Sequence, residues 1–139
     1  MADDADLLAL DQAVVDSILG GAPLPGSGTV VHLPDLDFLR RDDAILVSSR
    51  GLPGSLSGAA LGTELTTIDV EGPGGETEDL AYLEVSNASE RDDVVRVTVR
   101  GRLRRAGSDA ELGLSAVQVT FRRRDGRWVA DPDTVTSAS

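Results

Sequence analysis

The stretch VTFRRRDGRWVAD, residues 119–131, holds four arginines and the chain's single tryptophan within the seven positions Arg122 to Trp128. It is either a basic contact for nucleic acid or a β-hairpin whose turn is flanked by arginines. Asp125-Gly126 decides between them. A two-residue type I′ turn needs positive φ at both central positions, and Asp-Gly between two alternating runs meets that need. With this pair at the tip, Arg124 faces Arg127, Arg123 faces Trp128, and Phe121 faces Ala130. Val117, Val119, Phe121, Trp128 and Ala130 then share a core face, with Arg123 beside the Trp128 ring in cation–π range. Arg122 and Arg124 point the other way, and Pro132 ends the pairing. The stretch is a hairpin, and its arginines are mostly the wet face of a sheet.

Working outward, VVRVTVRGRLR (94–104) alternates Val95, Val97, Val99 and Leu103 with Arg96, Thr98, Arg100, Arg102 and Arg104. Period two means one buried and one wet face. In LGLSAVQVTF (112–121) the residues Val117, Val119 and Phe121 share one parity and Leu112 and Leu114 the other, which predicts a bulge near Ser115 or burial on both sides. Further upstream, 29–33, 44–50, 63–70 and 80–87 have the β-branched, apolar character of strands. Residues 34–43, PDLDFLRRDD, suit a short helix with Pro34 at its first position. GLPGSLSGAALG (51–62) and EGPGGETED (71–79) are turn-rich connectors. The N-terminus carries a helix: Leu7, Leu10, Val14 and Ile18 recur at helical spacing, widened by Leu8, Val15 and Leu19. Asp3, Asp4 and Asp6 suit its positive end, and Gly20-Gly21 stops it.

A length of 139 residues suits one domain. We expect residues 1–133 to form it and 134–139 to be a frayed tail. With no cysteine there is no disulfide, thiolate nucleophile or Cys-ligated metal. The start, MADDADLL, lacks the basic and apolar regions of a signal peptide. No apolar run reaches the ~20 residues that span a bilayer. The expectation is a cytoplasmic protein without membrane contact, exported only if a signal peptide has been removed. The formal charge is −11, every basic residue is arginine, and seventeen of the acids are aspartate against seven glutamate. That balance suits a salt-adapted organism or a GC-rich genome, and it disfavours nucleic acid. Residues 1–90 carry three arginines against seventeen acids, a net of −14; residues 91–139 carry ten against seven, a net of +3.

The opening helix, VVRVTVRGRLRR and AVQVTFRRRDGRWVAD together resemble the cystatin-like α+β folds, in particular the nuclear-transport-factor-2-like group with its ketosteroid-isomerase-like and polyketide-cyclase-like members. The resemblance covers about half of the chain. It implies an N-terminal amphipathic helix packed on a curved, mainly antiparallel sheet ending in a long-strand meander and the Asp-Gly hairpin. The chain departs from that group in having one evident helix where two or three are usual.

Candidate chemistry is sparse. His32 is the only histidine, and no nucleophile elbow accompanies it, so a strand residue with satisfied hydrogen bonds is the plainer assignment. Asp35, Asp37, Asp42 and Asp43 lack EF-hand spacing and read as helix-start acids rather than metal ligands. GLPGSLSG has no phosphate-loop lysine. The ketosteroid-isomerase-like resemblance implies an aspartate base and a tyrosine donor in an apolar cavity, for which this chain offers Asp37 or Asp69 and Tyr82. The parity of Tyr82, opposite to Leu83 and Val85, predicts half exposure. Arg96, Arg100, Arg102, Arg104, Arg122 and Arg124 share one outward direction, with Glu84 as a nearby acid. That face has no aromatic residue for stacking single strands. The expectation is a non-catalytic small-molecule-binding or protein-assembly module, a homodimer or the host of a small apolar ligand, with no cofactor and no metal. The alternative is an isomerase- or cyclase-type enzyme with a carboxylate base.

Overall fold

Asp4–Gly20 form α1 in the computed structural model, which describes residues 4–33, 39–41, 44–48, 64–68, 80–91, 93–104, 111–131 and 136–138. Asp4 and Asp6 occupy its first turn, where a negative charge meets the unpaired amides of the helix dipole. At the other end Gly21 takes φ +72° and its amide donates to Ser17 O at 3.0 Å, the left-handed exit for which glycine is suited. Leu10, Val14, Val15 and Ile18 are buried, because α1 lies across the middle of the sheet.

The strands are β1 (Arg40–Arg41), β2 (Ala44–Ser48), β3 (Glu64–Ile68), β4 (Leu80–Arg91), β5 (Val94–Arg104), β6 (Glu111–Arg124), β7 (Arg127–Ala130) and β8 (Thr136–Ala138). Their main path runs β1-β2-β4-β5-β6-β7, with β3 beside β2 and β8 beside β6. The helix packs on this curved sheet to give an α+β fold. The sheet is mixed: β2 pairs in parallel with both β3 and β4, whereas β4 through β7 form an antiparallel meander. Parallel pairing was not legible in the short strands, whose connections carry no helical period.

Three expectations change. Residues 29–33 form no strand; Val31 is held instead by its amide donating to Ser17 Oγ at 2.9 Å. Of the helix expected at 34–43, Leu39 is helical and buried and Arg40–Arg41 form the short strand β1; residues 34–38 and 42–43 lie outside the described residues. The tail expected to fray contains β8, which pairs with β6 from Ala116 to Gln118.

The hairpin has the register that Asp-Gly implies: Arg124 opposite Arg127, Arg123 opposite Trp128, and Phe121 opposite Ala130. Asp125 and Gly126 have φ +52° and +77°, and the Arg123 guanidinium carbon lies 5.6 Å from the Trp128 ring centre. A Cβ at Gly126 would meet nothing within 4 Å, so backbone strain alone sets the cost of a side chain there. Gly126→Val should therefore lose about 1–3 kcal/mol. Urea melts of wild type and variant check this, and coincident midpoints would remove the positive-φ argument.

The β5–β6 ladder slips between Arg100↔Ala116 and Arg102↔Gly113, so Leu114 and Ser115 together stand opposite Gly101. That is a bulge, two residues against one. It brings Leu112 into register with Leu103, which accounts for the change of parity along β6. The core consists of aliphatic residues from α1, the 24–33 segment, Leu39, Ile45 and Val47 of β2, the odd-numbered positions of β4, β5 and β6, and Ala130 of β7, together with Phe121.

Candidate functional site

The arginine face is the side of the sheet away from α1. Register places its residues in cross-strand rows over β4, β5 and β6: Ala88-Arg96-Thr120, Ser86-Thr98-Gln118, Glu84-Arg100-Ala116 and Tyr82-Arg102-Gly113. Arg96, Arg100, Arg102, Arg104 and Arg122 are half-buried and Arg124 is exposed. Successive positions on one face of a strand lie about 6.5–7 Å apart, so Arg100, Arg102 and Arg104 repel one another along β5. Glu84 relieves part of this. It faces Arg100 in register but takes its ion pair diagonally, to Arg102 Nη2 at 3.2 Å. Among the described residues Arg100 makes no ion pair. At the hairpin end, Arg122 Nε donates to Asp131 Oδ2 at 3.1 Å.

Tyr82 does not match its expected half exposure: it is completely buried. Parity was read correctly, since Tyr82 belongs to the arginine side and not to the main core. That side is covered near β2 and β4, where Ser48 is also fully buried. Alternation says which side a residue is on; it does not say whether that side is open. His32 is exposed, between buried Val31 and Leu33. Asp37 and Asp69 lie outside the described residues. The expected aspartate–tyrosine pairing is therefore not assembled within the described part.

A different acid occupies the core. Asp11 is fully buried on the sheet-facing side of α1, and Asn87 of β4 donates to both of its oxygens, at 3.3 and 3.0 Å. Burial pushes its carboxyl up to about 6, while the hydrogen bond from Asn87 opposes the rise. The signal was present in the sequence: Asp11 falls four residues after Leu7 and seven before Ile18, in the middle of the apolar stripe. Asn87 shares the parity of Leu83 and Val85, whereas Tyr82 has the opposite one. Asp11 and Tyr82 thus stand on opposite sides of the sheet and cannot serve one site.

A cavity of about 270 Å³ opens between the turn after α1 and the last hairpin, lined by Gly26, Ser27, Arg122, Arg124, Val129, Ala130 and Asp131. The turn is fixed there by Ala130 N donating to Pro25 O at 2.8 Å.

Among the described residues there is no cluster of three or more histidines or acids able to hold a metal ion, and no helix long and apolar enough to cross a membrane. No family model, curated protein or solved structure matches the chain.

Proposed function

We propose that the protein is a non-catalytic assembly module whose arginine face docks an acidic surface, that of a second copy of the same chain. The single observation that carries this is Arg100, a half-buried guanidinium in mid-sheet, between Arg96 and Arg102 and without an ion pair among the described residues. Like charges kept this close are unfavourable unless an opposite charge completes them. The chain itself offers that charge, since residues 1–90 carry a net of −14 and residues 91–139 a net of +3. The cystatin-like, nuclear-transport-factor-2-like architecture suits this role, because its curved sheet presents a broad face opposite the helix.

Contacts between charged faces weaken as salt rises, since exposed pairs are screened over about 10 Å at 0.1 M. Apolar contacts do not. Sedimentation at low and high salt should show wild type dimerising at low salt and dissociating at high salt, with Arg100→Glu/Arg102→Glu monomeric in both. Two monomers throughout would end the assembly proposal. Equal dimerisation of the two proteins would place the interface elsewhere.

The alternative, an isomerase- or cyclase-type enzyme working in the cytoplasm on a small apolar substrate, is favoured by one observation, the buried Asp11 carboxylate. Against it, that carboxylate is already occupied by Asn87. If Asp11 is a base, a small apolar ketone should raise the melting temperature of wild type and not that of Asp11→Asn. No shift in either removes this reading.

A further inference from the structure

We infer that the cavity between the Pro25–Ser27 turn and the β6–β7 hairpin is a binding site for a small organic carboxylate. The inference goes beyond assembly and stands mainly on residues of the β6–β7 hairpin and the turn after α1 rather than on Arg100 and Arg102.

The first argument is charge placement. Arg124 and Arg127 are directly opposite in the hairpin register, both exposed and on the same side. Like charges so placed destabilise a hairpin, and Arg122 adds a third guanidinium two residues along. Asp131 matches one of the three, through Arg122 Nε. That contact leaves the terminal amines of Arg122 as donors, and Arg124 has no ion pair among the described residues. The local excess is positive in a chain of net charge −11. Over the roughly 10 Å that survive screening at 0.1 M salt, the near charges decide what an anion experiences.

Shape and polarity give the second argument. The volume of about 270 Å³ lies at the lower edge of the few-hundred-Å³ range of ligand pockets, so the ligand is small. Val129 and Ala130 supply an apolar wall, while the guanidinium fork of Arg124 matches the two coplanar oxygens of a carboxylate. The Asp131 carboxylate on the rim disfavours a dianion more than a monoanion. A compact body bearing one carboxylate fits all of these. The site is also held in place from both sides, by the Ala130–Pro25 hydrogen bond and by Asp131 N donating to Thr120 O at 2.8 Å.

The test is an amide-resolved NMR titration of the full chain at pH 7 with sodium benzoate, against sodium chloride at matched ionic strength and inorganic phosphate. Benzoate should produce saturable shifts at Gly26, Ser27, Val129 and Asp131, with acetate weaker because it lacks the apolar body. Arg124→Gln should weaken benzoate by about fivefold or more, as expected for loss of a charged hydrogen-bond donor. Arg123→Gln, on the other side of the hairpin, should leave it unchanged. Shifts that chloride reproduces, or an unaffected Arg124→Gln, would overturn the site. Phosphate saturating the same amides as tightly as benzoate would overturn the carboxylate assignment. Repeating the titration on Arg100→Glu/Arg102→Glu separates the two proposals: the variant should still bind benzoate, and wild type and variant both monomeric at every salt yet both binding benzoate would sink assembly and keep this site.

Discussion

Gly26→Ala should destabilise the protein by about 2–5 kcal/mol, far more than one methyl group costs on a surface turn. Two effects coincide at this position. Gly26 has φ +78°, where an L-residue is strained by about 1–3 kcal/mol. Pro25-Gly26 has the composition of a type II turn, whose third residue requires that conformation, and Ser27 N closes the turn on Leu24 O at 3.4 Å. A Cβ added at Gly26 would also overlap Val129 Cγ1 and come within 3.0 Å of Val129 Cβ. The Val129 Cβ is one bond from the backbone and the residue is β-branched, so it cannot swing aside as a long side chain would. Overpacking of this kind costs a further ~1–3 kcal/mol.

The same region separates the two terms. Gly28 has φ +71°, but a Cβ there meets nothing within 4 Å, so Gly28→Ala should show the conformational cost alone. Adding Val129→Ala to Gly26→Ala should recover the steric part, leaving the double variant near Gly28→Ala once the loss of Val129 itself is subtracted. Chemical denaturation of the four proteins gives every term. If Gly26→Ala and Gly28→Ala lose the same stability, the close approach of turn and hairpin is wrong, and with it the wall of the carboxylate cavity.

The hairpin and its neighbours were legible because their signals are local. Asp125-Gly126 sets a turn, the turn sets the register, and alternation in β5 and β6 then assigns every side chain to a face. The change in parity between Leu114 and Val117 narrowed β6 to a bulge or burial on both sides, and the register shift opposite Gly101 decides for the bulge. The pairing of β2 with β3 and β4 was not, because parallel ladders join segments that share no turn. The candidate site divides in the same way. The arginine side followed from period two alone. The burial of Tyr82 depends on what covers that side, and no spacing within β4 encodes it. Asp11 could have been found from the helical period, as an acid within an apolar stripe. The cavity could not, because Gly26 and Val129 are a hundred residues apart and meet only once the turn is tied to β7.

Asp11→Asn should raise stability at neutral pH and remove a pH dependence of about 3 kcal/mol. The folded-state carboxyl titrates near 6 against an ordinary 3.8, so the native protein holds a proton that the unfolded chain has already released. A raised carboxyl contributes stability that is complete below pH 3.8 and lost as pH climbs through 6. The difference between 3.8 and about 6 corresponds to roughly 3 kcal/mol. Above pH 7 the charged form is buried with one amide as its hydrogen-bond donor, and Asn87 meets only part of the cost of burying it. In Asp11→Asn an amide can exchange hydrogen bonds with the Asn87 amide and carries no charge, so its own contribution is independent of pH. The other carboxylates are common to both proteins and cancel in the difference. Denaturation midpoints of wild type and variant from pH 4 to 8 therefore give a difference curve rising in favour of asparagine between pH 4 and 6 and flat above 7. An imperfect amide pair would lower the whole curve without changing its slope, so the slope is the quantity to read. A flat difference across the range would mean that Asp11 reaches water in solution, and the buried Asp11–Asn87 contact between α1 and β4 would have to be abandoned.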